Sequence, residues 1–226
     1  MERETTQAAQ PQKQPPGVFD FIIVSWPFFL NDLYLIPLTR TGGNTNLLWL
    51  LDIVFYCLIP TCTLWWLYKK GRLVHVAAAF KVPQKLWLHL LAGAALAVVT
   101  HLVFTRLFEP WCFAHGWGRL CFGYTLPQGS AALQLVVNAY AVLSAGILEE
   151  TVFRAHLMGL AAQRDVGRGA AALLSSALFA GIHWCGGTGK LLSTFTIGLI
   201  PSAIYLRTGN LWLLMTWHTL HDLLAF

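Results

Sequence analysis

Charge is scarce in this chain: 11% of its 226 residues are charged, while 56% are hydrophobic. An ordinary soluble domain carries about 25% charged residues. A chain this short has too little interior to hide so much apolar surface, so an ordinary water-soluble domain is excluded and the bilayer becomes part of the solvent. Cysteine is scarce too, with five residues, no CxxC pair and no zinc-finger spacing. There is no HExxH, and no Walker spacing follows Gly186, Gly187 and Gly189, which read as a tight turn that could gate a nearby site. Residues 1–16 lack the short apolar core and small-residue cleavage site of a signal peptide. Their Pro/Gln-rich composition predicts a disordered polar tail. The net charge of +5 implies no nucleic-acid partner, because the basic residues sit in short groups between apolar runs.

What the chain has in quantity is apolar helix. The mean hydropathy is +0.58. Candidate spans fall at about 18–38, 46–68, 86–108, 131–162, 170–186, 190–206 and 210–226; the fourth is too long for one crossing, so it tilts or runs past the bilayer, and the first is interrupted by Asn31, Asp32 and two prolines. Trp65, Trp66, Trp87, Trp111 and Trp212 stand near span ends, as an interfacial aromatic belt requires. The segment GRLVHVAAAFKVPQK reads as a short amphipathic helix lying in the interface. The expected fold class is therefore all-α, a polytopic transmembrane bundle of about seven spans, with residues 17–226 forming a single domain. With the N-terminus in the cytoplasm, Arg3, Lys13, Lys69, Lys70, Arg72, Lys81, Lys85, Arg164, Arg168 and Arg207 all fall inside. Arg40, Arg106, Arg119 and Lys190 fall outside, together with the loop holding Cys112 and Cys121. Those two thiols are either bridged or unlinked.

The segment AVLSAGILEETVFRAHLMGL puts Glu149, Glu150 and Arg154 in the middle of an apolar helix. Glu150 and Arg154 share a face, and Glu149 points about 100° away. A buried ion pair accounts for Glu150 and Arg154 and leaves Glu149 unpaired. A charge at bilayer depth costs about 2.5–3.5 kcal/mol even on insertion scales, so it marks function by default. The next span places Phe179 and His183 four apart, and the last places His218 and Asp222 four apart with His221 offset. A lone His in an apolar helix is ordinarily structural. Three such groups on three spans are not explained by packing. At 1.5 Å per residue they fall in one layer near mid-membrane, displaced toward the outer leaflet. Asn31, Asp32 and Asp52 are expected near interfaces or paired between helices, and His89, His101, His156 and His221 are expected to be structural.

EETVFR, FAGIH and HTLHD resemble, in order, the three motifs of the CAAX-protease and bacteriocin-processing family of intramembrane proteases. The resemblance covers roughly residues 130 to 226 and implies an intramembrane endopeptidase of glutamic type. It implies Glu149 as the general base on water, Glu150 and Arg154 as its positioning partners, and His183, His218 and Asp222 as the groups that polarise the scissile carbonyl. Many relatives have a further helix after the position of Asp222, which bears on how the cavity closes. The chemistry needs no cofactor on this reading. Zinc or another divalent metal is the alternative, held by Glu149, His183, His218 and Asp222. Other classes weighed are a proton-coupled transporter, disfavoured by the lack of an inverted repeat, and a non-catalytic scaffold of the same fold. The expected partners are the lipid bilayer and a membrane-anchored or exported peptide. The expected location is a bacterial inner membrane, and the preferred substrate is a C-terminal sorting tail trimmed on the outer side.

Overall fold

A computed structural model describes residues 17–40, 45–117 and 129–225. The expected polar tail and Cys121 lie outside the described residues. Those residues form eight helices and no strand: α1 Val18–Arg40, α2 Thr45–Lys69, α3 Val74–Ala79, α4 Leu86–Ala114, α5 Ala131–Ala162, α6 Arg168–Gly181, α7 Gly187–Thr208 and α8 Trp212–Ala225. A single 3₁₀ turn, Trp184–Gly186, leads into α7. Ser130 caps α5 by accepting from Leu133 N–H at 3.3 Å, and Gly209 ends α7 in the left-handed conformation with φ 59°.

Four stretches are long and apolar enough to cross a membrane: α2 with 25 residues, α4 with 29, α5 with 32, and the turn plus α7 with 25. The protein is thus a multi-pass membrane protein. The other three expected spans are α1, α6 and α8. Buried Asp20 and Asp32 interrupt α1. Helices α6 and α8 have 14 residues each, about 21 Å of helix against a hydrocarbon core of about 30 Å. Outward-facing Trp65, Leu107, Leu135 and Val136 are exposed and form part of the surface that lipid would cover.

Helix α8 packs chiefly on α4 and α5, and α6 on α7. Small residues permit the first contact. A Cβ at Gly93 would lie 2.6 Å from Leu213 O, and one at Gly146 would lie 2.9 Å from Thr219 N and collide with its hydroxyl. The α1, α2, α5 and α6 core is aromatic: Phe28 meets Tyr56 edge-on at 4.8 Å and Phe153 at 6.1 Å, and Phe153 meets Phe179 at 5.9 Å.

At one end of the bundle, Arg72 pairs with Asp20 at 2.9 Å and the His75 and His156 rings meet at 3.3 Å. At the same end α3 receives the start of α8: Leu211 N–H donates to Ala79 O at 3.1 Å, Trp212 Nε1–H to Phe80 O at 3.2 Å, and Asn210 Nδ2 to Lys81 O at 2.7 Å. At the opposite end Lys190 and Ser193 both reach Glu109 Oε1, at 2.8 and 3.2 Å. Cys112 is a free, buried thiol, so it makes no bridge to Cys121, whereas Cys185 is disulfide-bonded.

Candidate active site

The site grows from an irregularity in α5. From Glu150 to His156 the helix widens into a π turn, a feature that frees backbone groups and recurs at functional positions. Here Ser175 of α6 donates to the Phe153 carbonyl at 2.8 Å, which satisfies a buried acceptor and ties α6 to the widened turn. Glu149, Glu150 and Arg154 are all buried, at 2%, 0% and 0% exposure. Arg154 Nε stands 3.4 Å from Glu150 Oε2, and its guanidinium lies over the Phe179 ring at 4.2 Å. Among the described residues, the Arg154 nitrogens and the Oε2 atoms of Glu149 and Glu150 make no hydrogen bond.

Helix α8 inserts His218 among these carboxylates. Nδ1 lies 2.8 Å from Glu150 Oε1; Nε2 faces Asp222 Oδ2 at 3.5 Å and Glu149 Oε2 at 3.8 Å. The short contact makes Nδ1–H the donor to Glu150, leaving Nε2 toward the other two carboxylates. The neighbouring Trp217 is almost wholly buried and fixes this stretch of α8 by donating Nε1–H to Thr100 Oγ1 at 2.9 Å. Five of the six expected residues therefore meet: Glu149, Glu150, Arg154, His218 and Asp222.

His183 stands apart from that cluster. No direct contact joins it to the carboxylates among the described groups, and Phe179 mediates instead: its ring meets His183 edge-on at 5.3 Å and His218 edge-on at 5.7 Å. His183 Nδ1 lies 3.0 Å from the Phe179 carbonyl. A carbonyl only accepts, so Nδ1 carries the proton, and the neutral ring offers Nε2 as an acceptor. In this tautomer, donation from Nε2 to an oxyanion requires the imidazolium.

Sequence reasoning noted the spacing of Phe179 but not its place as the aromatic floor beneath Arg154, His183 and His218. It gave no role to Gly146, whose missing side chain lets α8 approach one turn before Glu150. A glycine facing small and polar residues on a later helix is the signal that could have found it.

The model of the Type II CAAX prenyl endopeptidase Rce1-like family matches residues 131–224. Over this segment the chain is similar to the Rce1-like family. No curated protein and no solved structure matches the chain. The Rce1-like segment contains α5 through most of α8, hence all six expected site residues, and the match supports a protease role. The Rce1-like cluster does not form a metal shell as it stands: among the described residues no group of three or more His, Cys, Asp or Glu is arranged to hold an ion. His218 spends Nδ1 on Glu150, and the Phe179 ring lies between His183 and His218.

Proposed function

We propose that this protein is an intramembrane endopeptidase in which Glu149 activates water. The observation that carries the reading is the buried cluster of three carboxylates, one guanidinium and one imidazole inside the Rce1-like segment. Glu150 is already engaged, with His218 on one oxygen and Arg154 near the other, so it acts as a positioning group. Glu149 is the least committed carboxylate. It takes a proton from water as the water oxygen bonds to the scissile carbonyl carbon, and the carbonyl π electrons move to oxygen. Arg154 and protonated His218 are the donors for that oxyanion. On collapse the C–N bond breaks, and the amine leaves with the proton held by Glu149. His183 accepts a hydrogen bond from the peptide or the water through Nε2, with Phe179 setting its tilt.

The substrate class is a peptide presented from within the membrane, either a prenylated CAAX tail or the C-terminal tail of a single-span exported protein. The second is preferred because the orientation from basic residues turns the site outward. The purified full chain in liposomes, given a farnesylated CAAX peptide and a single-span peptide with a polar C-terminal tail, should cleave at least one of them, and Glu149→Gln should not. Cleavage of neither by the wild type, or equal cleavage by the variant, would overturn the proposal.

A further inference from the structure

The 3₁₀ turn that follows His183 is held from outside the Rce1-like segment. Asp32, 14 residues into α1 and only 5% exposed, accepts a hydrogen bond from Cys185 N–H through Oδ2 at 2.7 Å. One turn earlier on α1, the Phe29 carbonyl accepts from Trp184 Nε1–H at 3.4 Å. The Phe29 ring also sits 3.2 Å from the point where a Cβ on Gly181 would stand, so α1 and the end of α6 are in contact. Two successive residues of the turn are therefore bonded to α1, and Cys185 is held again by its disulfide.

His183 is the residue this arrangement controls. The chain leaves the helical conformation at His183, with φ −106° and ψ 24°, and Gly186 N–H closes the turn on the His183 carbonyl at 3.0 Å. Its ring has one hydrogen bond of its own, to Phe179 O. The direction of Nε2 thus depends on the backbone of 183–186, and that backbone depends on α1. A carboxylate buried at this depth is a costly way to satisfy one N–H, but a charged acceptor forms the shorter and stronger bond. We propose that Asp32 is a positioning residue for His183, acting through the Cys185 N–H. The proposal rests on the reading of His183 as part of the site.

The test uses the full chain in liposomes and two readouts. The first is the rate at which diethyl pyrocarbonate modifies His183, followed by peptide mass spectrometry, with exposed His115 as internal reference. Asp32→Leu should raise the His183 rate about fivefold, the effect of losing one net hydrogen bond, while Asp32→Asn, which keeps an acceptor oxygen, stays near wild type. Trp184→Phe, removing only the second tie, should shift the rate in the same direction and serves if the leucine variant does not insert. The second readout is kinetic: with a cleaved reporter, Asp32→Leu should lower kcat about tenfold with little change in KM, and Asp32→Asn should recover most of it. An unchanged His183 rate in a folded Asp32→Leu or Trp184→Phe protein would overturn the proposal, as would an asparagine variant that behaves like leucine. The labelling result decides this whether or not any reporter is cleaved, so failure of the peptidase reading is seen separately.

Discussion

Glu150 accepts a 2.8 Å hydrogen bond from His218 Nδ1–H, and this one contact joins the π turn of α5 to the short helix α8 inside the apolar bundle. Both partners are buried, so removing either leaves the other as an uncompensated polar group in a low-dielectric setting, which is strongly destabilising. The pair gives the two adjacent glutamates different roles. On the proposed mechanism Glu150 organises the site, and Glu149 remains available for proton transfer.

That division is testable by substitution. Glu149→Gln should lower turnover by roughly 10²-fold or more, because the amide keeps the shape and removes the proton acceptor. Glu150→Gln keeps an acceptor for His218 and should cost less, about tenfold. Single-turnover assays in liposomes compare them, and a larger loss at Glu150 would exchange the two roles.

Gly146 sets the distance between α5 and α8. Gly146→Val should destabilise the protein by about 1–3 kcal/mol, the usual cost of overpacking, and should lower activity, because the new side chain meets Thr219 one turn before Asp222. Gly169→Ala, where an added Cβ meets nothing within 4 Å, is the matched control and should be silent. Thermal unfolding in detergent beside the activity assay reads both; an equally stable valine variant would contradict the packing account.

Orientation follows from the basic residues and from the disulfide-bonded Cys185, since disulfides persist in oxidising compartments. A membrane-impermeant thiol reagent should label Gly116→Cys on intact cells and Val74→Cys only after lysis. The opposite pattern would turn the site toward the cytoplasm.

Prolonged chelation should leave the rate unchanged, and metal analysis of active purified protein should find no stoichiometric ion. One zinc per chain, lost with activity and restored with it, would replace the glutamate mechanism with a metal-activated water.

The charged residues of α5 and the histidines of the later helices were legible because lipid makes ionisable groups conspicuous. That one ring would reach toward both Glu149 and Glu150 was not legible from their offset on the helix: His218 turns Nδ1 to Glu150 and Nε2 toward Glu149. The separation of His183 from the cluster was not legible, because its ring direction is decided by a backbone turn and a carbonyl. Asp32 and Asp52 were expected near interfaces or paired between helices, and the structure pairs them: Asp32 with Cys185 N–H, and Asp52 with Tyr140 at 3.1 Å. Their partners could not be read from spacing, because residues on different helices are paired by tertiary packing alone. The length of α6 was overestimated, since an apolar run continues through His183 and Trp184 after the helix itself has stopped.

The junction between α3 and α8 carries a mechanical consequence. The backbone carbonyls at 79–81 are spent on residues 210–212, so α3 is fastened to the start of the helix bearing His218. His218 lies about 9 Å along α8 from Trp212. Through this junction the place where α8 begins, and with it the register of His218 against Glu149, is tied to α3.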